Sequence, residues 1–130
     1  MLKSLHLAIA IFLTIPSAGH AVDARIKAQL LKLDPRTRLE QACDTEAMIR
    51  IKADKNVFRP DKVIAYTFKD PVYGPDSIKA PGAVFRSGGE WYHLSFKCQT
   101  GPQHLNVRNM TYTIGDKVAR ANWGKYFLYD

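Results

Sequence analysis

The sequence has few cysteines and lacks the motifs of the common metal, cofactor and nucleophile sites. Only two of its 130 residues are cysteine, and they do not form the Cys-x-x-Cys pair that is typical of zinc sites. It contains no Gly-rich phosphate loop, no dinucleotide-binding fingerprint and no Gly-x-Ser-x-Gly elbow. We therefore expect no metal, no cofactor and no catalytic residue, and we predict that the protein is not an enzyme.

Long apolar runs are also missing. The N-terminal run, residues 5–15, has about eleven residues, whereas a membrane-spanning helix needs roughly 20. Hydrophobic residues make up 46% of the chain and charged residues 24%, and these values exclude a disordered or collagen-like protein. A chain of this length is expected to form one domain.

The N-terminal segment has the features of a secretory signal peptide. Lys3 supplies a positive charge, residues 5–15 supply an apolar core, and small residues up to Ala21 occupy the positions that signal peptidase reads. We predict that residues 1–21 are a signal peptide and that residues 22–130 form a single α+β domain. The predicted location is the periplasm or the exterior of the cell, and an uncleaved membrane anchor is the alternative.

The predicted export affects the expected redox state of the two cysteines, Cys43 and Cys98. In an oxidising compartment an even number of cysteines favours a disulfide, which here would close a loop of 55 residues. The alternative, a reactive or metal-bound thiol, needs a nearby base or further ligands, and no histidine lies within three residues of either cysteine. We predict a structural Cys43–Cys98 disulfide, and the sequence leaves open whether it forms within one chain or between two.

The first part of the exported chain predicts helices. Residues 22–33 have apolar side chains at helical spacing. Asp34 followed by Pro35 is a typical helix start, because an Asp side chain caps free N–H groups and Pro is favoured in the first turn. We predict a helix over about residues 35–52, either one bent helix or two shorter ones, since Asp44 could cap a second segment.

The second part predicts antiparallel strands. Residues 62–68 alternate between two faces, as the side chains of a strand do. Residues 83–86 and 90–99 predict a hairpin around Gly88 and Gly89, because glycine accepts the positive φ angles of a tight turn.

A further strand is predicted over residues 105–114, with a bulge near Asn109 where the alternation changes phase. Residues 70–81 hold three prolines and predict a long irregular loop. After that last strand, Asp116 is expected to cap a short helix that ends near residue 125, followed by an aromatic tail that packs back onto the domain.

Together these elements predict an α+β fold, in which N-terminal helices pack on an antiparallel sheet of about four strands. Cys43 falls on the predicted helix, and Cys98 falls on the inward face of a predicted strand. One helix-to-sheet disulfide is therefore expected to join the two layers.

A basic excess points to anionic partners. The chain has 19 Lys and Arg against 12 Asp and Glu, which gives a formal net charge of +7. Removal of residues 1–21, whose only charged side chain is Lys3, leaves +6. An exported basic domain meets anionic lipid headgroups and glycans before it meets nucleic acid.

One predicted strand face combines aromatic, polar and basic side chains. Trp91, His93, Ser95 and Lys97 alternate onto it. The candidate ligand-binding residues, which share this face or lie near it, are Arg86, Trp91, His93, Lys97 and Arg108. The alternative is that Trp91 packs under the long loop and that Lys97 only solubilises the sheet.

We therefore expect a non-enzymatic exported envelope protein that binds an anionic or sugar-bearing surface component. The alternative is a protein–protein interaction module, such as an inhibitor of a secreted enzyme, that docks through the Pro-rich loop at residues 70–81. A third hypothesis is a small hydrolase that uses His93, two residues from Ser95. The expected partners are an anionic glycan, a lipid headgroup or a periplasmic protein, with no nucleic acid and at most peripheral membrane association.

Several sequence blocks resemble a known family. The most specific are Leu-Asp-Pro-Arg-Thr-Arg-Leu-Glu at residues 33–40 and Trp-Tyr-His-Leu-Ser-Phe-Lys-Cys at residues 91–98. Together with the cysteine pairing they resemble a family of small exported alphaproteobacterial proteins that is classified as a domain of unknown function. The resemblance spans about residues 33–129 and implies a periplasmic or secreted bacterial protein. It implies no activity, so no catalytic or binding residue follows from it.

Overall fold

The computed structural model describes the backbone of residues 18–130 and the side chains from residue 24 onward. The predicted signal peptide, residues 1–21, therefore lies outside the described residues apart from the backbone of its last four. Within the described range, no helix is long and apolar enough to cross a membrane.

Two helices precede the sheet, α1 over Ala18–Leu30 and α2 over Pro35–Asp54. The predicted helix start is confirmed, since the Asp34 carboxylate accepts a hydrogen bond of 3.2 Å from the backbone N–H of Thr37. Helix α2 is continuous, so Asp44 caps no second segment and is instead buried within the helix.

The strands form one antiparallel sheet in the order β1-β3-β4-β5, and the short β2 pairs with β3. Their bounds are β1 Pro60–Ile64, β2 Val72–Tyr73, β3 Ser77–Ser87, β4 Glu90–Thr100 and β5 Val107–Lys117. The α+β prediction is confirmed. The sheet has one strand more than the four expected, because two residues of the predicted loop pair with β3.

The hairpin between β3 and β4 has the predicted turn. Gly88 and Gly89 have φ angles of +57° and +75°, the left-handed region that other residues rarely adopt. Two successive positive φ angles give a two-residue turn whose twist matches that of the flanking strands.

Two predictions for the middle of the chain are correct only in part. The strand predicted over residues 62–68 ends at Ile64, and the predicted loop over residues 70–81 contains β2 and the first part of β3. Pro81 lies within β3 at a bulge, where the ladder is interrupted and no N–H is needed. At this bulge a Cβ on Gly82 would collide with the backbone of Lys69, so the close approach of the two segments requires glycine.

The last strand and the C-terminal segment also differ in part from the prediction. The register places Arg108 as the extra residue of a bulge, next to the predicted Asn109. Strand β5 continues to Lys117, so Asp116 lies in a strand and caps no helix. Two 3₁₀ turns follow instead, because the chain folds back tightly over the sheet.

The sheet is packed on both faces. On one face the buried side chains of α2 form a core with Phe85 and Leu94. On the other face, Trp91 packs with Trp123 and Leu128 of the C-terminal segment. The predicted return of the tail is confirmed for Leu128, whereas Phe127 is 88% exposed. The C-terminal segment covers this second face at one end of the strands.

The predicted disulfide is confirmed and forms within one chain. It joins Cys43 of α2 to Cys98 of β4, and both residues are buried in the core between helix and sheet. Their sequence separation is 55 residues. The restriction of the unfolded chain by a loop of this size corresponds to about 4 kcal/mol of stabilisation.

His104 is a buried histidine that connects three segments. Its Nδ1 lies 2.7 Å from the carbonyl oxygen of Pro35, and its Nε2 lies 2.9 Å from the carbonyl oxygen of Pro75 and 3.1 Å from Asp76 Oδ1. Both nitrogens face acceptor oxygens, and only the imidazolium form donates from both. Burial opposes the charged form, yet these hydrogen bonds outweigh it and raise the pKa of His104 above 6.5.

We expect His104→Gln to destabilise the protein most at acidic pH. Because the folded-state pKa is raised, the contribution of His104 is complete below about pH 6.5, the ordinary histidine value, and is lost as pH rises through the higher folded-state value. Urea unfolding of wild type and variant between about pH 5 and pH 9 measures the difference in unfolding free energy. A difference that stays constant or grows with pH would contradict the assignment.

Candidate functional site

One part of the sheet surface remains uncovered. The C-terminal segment shields the face opposite α2 only near the β3–β4 turn, where Trp91 is buried. Farther along the strands, the register brings eight side chains to the uncovered part of this face. We call this surface the open face, and its residues are Ser77, Lys79, Ser95, Lys97, Gln99, Asn109, Thr111 and Thr113.

The open face is arranged in three rows across β3, β4 and β5. The first row is Ser77–Gln99–Asn109, the second is Lys79–Lys97–Thr111, and the third is Ser95–Thr113 beside the bulge at Pro81. Six of the eight side chains are exposed, and the two serines are half-buried. None of the eight is acidic or aromatic, so the surface offers hydroxyl and amide groups around two positive charges.

The two lysines lie directly opposite each other. Lys79 pairs with Lys97 in the register of β3 and β4, which places their Cβ atoms about 4.5–5.5 Å apart on one face. Like charges in such a position are destabilising. Within the described part of the chain, neither lysine forms a salt bridge. An anion held between the ammonium groups would remove this repulsion.

Two clefts flank the lysine pair. The larger, of about 580 Å³, is lined by the first row together with Val72 and Tyr73 of β2. The smaller, of about 300 Å³, is lined by the third row and Pro81. Lys79, Lys97 and Thr111 line both. The clefts therefore form one shallow groove, with its positive charge in the middle.

The structure separates the five residues predicted to bind a ligand. Trp91 is 0% exposed, and its Nε1 donates a hydrogen bond of 2.8 Å to the carbonyl oxygen of Tyr129. Arg86 donates to both oxygens of Asp61, at 2.9 and 3.2 Å, and its guanidinium lies above the Trp91 ring. Trp91 therefore belongs to the core, and it packs under the C-terminal segment rather than under the loop that the alternative named.

The other three predicted residues lie at three different places. His93 is half-buried and stacks on Phe68, with ring centroids 4.4 Å apart. Arg108 is exposed at the bulge of β5 and lines a separate cleft beside Gly101. Only Lys97 lies on the open face, so the groove contains one of the five residues that the sequence indicated.

Lys79, Gln99 and Asn109 of the open face are not among the residues predicted to bind a ligand. Lys79 lies in the segment predicted as a loop, so its position opposite Lys97 could not be deduced. The continued alternation from Ser95 through Lys97 to Gln99 was an available signal for Gln99. Asn109 could be placed on this face only once the bulge at Arg108 was known.

The possible metal ligands and the pair His93 and Ser95 are arranged as follows in the described residues. Among them, no group of three or more His, Cys, Asp or Glu side chains is arranged to hold a metal ion. His93 packs against Phe68, whereas Ser95 lies on the open face. A nucleophile–base pair would require a hydrogen bond between Ser95 and His93, whose observed contact in the described structure is the stack on Phe68.

A buried carboxyl group lies on the other side of the sheet. Asp44 of α2 is 5% exposed, and its Oδ1 has no hydrogen-bond partner in the described structure. Burial, together with the nearby charge of Glu40, raises the pKa of Asp44 to about 8, and Lys62 offsets the rise only in part. Asp44 is remote from the open face, so it bears on stability and not on the groove.

A protein-family model described as Domain of Unknown Function (DUF930) matches residues 30–128. The matched region includes α2, all five strands and both cysteines. The resemblance to a family of unknown function is thereby confirmed, and its alphaproteobacterial origin stays a prediction. The comparisons with curated proteins and with solved structures found no match.

We expect Asp44→Asn to remove part of the pH dependence of stability. The carboxyl group binds a proton more tightly in the folded state, so wild-type stability falls as pH rises from about 4 to about 8, at up to about 1.4 kcal/mol for each pH unit crossed. The Asn side chain does not titrate, so the variant gains stability relative to wild type across this range. Urea unfolding at several pH values measures the gain. Asp70→Asn, at an exposed position, is the control, and equal behaviour of the two variants would contradict the prediction.

We expect Lys97→Gln to stabilise the protein in the absence of ligand. Removing one of two opposed positive charges should raise the unfolding free energy by about 0.2–1 kcal/mol at low ionic strength, and less in high salt. Lys79→Gln should have a similar effect. The double variant should gain less than the sum of the two, because the repulsion is removed only once. Lys52→Gln, at an exposed position on α2, is the matched control, and destabilisation by Lys97→Gln would overturn the prediction.

Proposed function

The chain belongs to this family of unknown function, and we propose that it is an exported, non-enzymatic protein that binds an anionic, sugar-bearing component of the cell envelope through the open face. The observation that carries this proposal is the Lys79–Lys97 pair, two exposed like charges held opposite each other without a counter-ion among the described residues. A ligand anion gains two charge-assisted contacts there and relieves an existing repulsion.

The groups around the lysines support a sugar-bearing ligand. Gln99 and Asn109 carry both donors and acceptors, and the Ser and Thr hydroxyls of the open face can rotate to donate or accept. Such groups suit the hydroxyls of a sugar, which also donate and accept. The open face contains no carboxylate that would repel an anion, and the excess of Lys and Arg over Asp and Glu favours its approach.

Export supports an envelope component as the source of the ligand. The N-terminal sequence has the features of a signal peptide, and the Cys43–Cys98 disulfide is typical of proteins in oxidising compartments. We therefore propose a periplasmic or secreted location. In that location the abundant anions are glycans and lipid headgroups.

The alternative, an interaction module that docks through a free loop at residues 70–81, has less support. Part of this segment is paired in β2 and β3. Pro75 and Asp76 are also held by His104, and the carbonyl of Asp76 accepts from the N–H of Thr100. Because the segment makes these contacts with the rest of the domain, few of its residues are free to bind a partner.

We expect the purified protein to be retained on immobilised lipopolysaccharide or peptidoglycan, and salt to weaken the retention. The double variant Lys79→Gln, Lys97→Gln should bind at least tenfold more weakly than wild type, because hydrogen bonds to charged groups contribute about 1.5–3 kcal/mol each. The dissociation constant, measured by surface plasmon resonance, tests this.

The matched control is Lys32→Gln with Lys52→Gln, which removes the same charge from exposed positions outside the open face. This variant should bind within about threefold of wild type. An equal loss in both double variants would indicate a general charge effect and overturn the assignment to the open face. Absence of retention on both materials would overturn the proposed function.

A further inference from the structure

We propose that the groove binds an internal segment of a linear anionic glycan, with one anionic group between Lys79 and Lys97 and a sugar unit on each side of it. This inference rests on the proposed function and specifies how the ligand lies. A carboxylate within the chain and a phosphodiester between two sugars share the required chemistry, which is one negative charge flanked by hydroxyl-bearing groups.

The central position of the charge is the first argument. Both clefts are lined by Lys79 and Lys97, so the lysine pair lies where the two clefts meet and not at the outer end of either. A ligand with its charge at a terminus would occupy one cleft and leave the other unused. A ligand with sugar units on both sides of its charge would fill both.

The similar chemistry of the two flanking rows is the second argument. Gln99 and Asn109 lie on one side of the lysines, and Ser95 and Thr113 lie on the other. Each pair offers hydrogen-bonding groups without charge. The rows are four residues apart along a strand, a distance of about 13 Å, so the groove has room for groups on both sides of the anion.

The covered end of the sheet determines where the ligand chain leaves the groove. His93, the next residue of β4 on this face after Ser95, stacks on Phe68, and Phe68 contacts Tyr126. This stack blocks a straight path along the strands. Strand β5 is the edge strand of the sheet, and Thr113 is exposed. The glycan therefore leaves the groove sideways over the β5 edge.

The test compares ligands of increasing length, in which the single sugar carries a terminal charge and the tetrasaccharide has a charged group with sugar units on both sides. The first series is glucuronic acid and hyaluronan oligosaccharides of two and four sugars. The second is a sugar phosphate monoester and phosphodiester-linked disaccharides and tetrasaccharides. An uncharged chitin tetrasaccharide controls for length. Isothermal titration calorimetry with the full protein gives the dissociation constants.

We expect affinity to rise tenfold or more from the single sugar to the tetrasaccharide in at least one series, with no measurable binding of the chitin tetrasaccharide. Gln99→Ala with Asn109→Ala, and separately Ser95→Ala with Thr113→Val, should each weaken tetrasaccharide binding by fivefold or more. Each variant should weaken binding of the tetrasaccharide more than binding of the single charged sugar, because the single sugar can contact only one of the two rows. All these side chains are on the surface, and circular dichroism verifies that the variants fold.

Three results would overturn this inference while leaving the proposed function in place. Equal affinity for the single sugar and the tetrasaccharide would show that the charge is terminal. An effect of only one of the two flanking rows would show that one cleft is unused. Retention on lipopolysaccharide or peptidoglycan without binding of either series would show that the ligand is not a linear glycan of this kind. Failure of that retention as well would overturn the proposed function itself.

Discussion

The disulfide between Cys43 and Cys98 is the constraint on which the arrangement of the two layers depends. It ties α2 to β4, the strand that lies between β3 and β5. Because side chains alternate along a strand, holding Cys98 inward directs Lys97 and Gln99 to the opposite face. The bond that stabilises the core thereby also determines which residues form the open face.

The second face of the sheet is covered at one end of the strands and exposed at the other. Near the β3–β4 turn, Trp91 is covered by the C-terminal segment, and farther along the same strand Lys97 is exposed. His104 contributes to the exposed part, because it holds Pro75 and Asp76 beside the start of β3. The next residue, Ser77, pairs with Gln99 and lines the larger cleft. The buried His104 thus holds the segment that leads into the first row of the open face.

Features that depend on neighbouring residues could be predicted from the sequence. Asp34 before Pro35 determines where α2 begins, because capping involves groups only three residues apart. Gly88 and Gly89 determine the hairpin turn, because few other residues adopt two positive φ angles in succession. The α+β class and the Cys43–Cys98 pairing followed from the order of the elements and the count of cysteines, so the general fold was accessible without coordinates.

The site depends on contacts between residues distant in the sequence, so it could not be predicted before the packing of the strands was known. Lys79 reaches Lys97 because β3 begins four residues before its Pro81 bulge, whereas the prolines of this segment indicated a loop. Trp91 is buried because a segment more than 30 residues later in the sequence folds over it. No local sequence pattern around Trp91 indicates this contact. The helix start and the hairpin turn therefore follow from short-range chemistry, and the count of cysteines predicted the disulfide, although only the structure shows that it forms within one chain. The open face required the register of three strands, since a single-residue shift exchanges the buried and exposed sides of a strand.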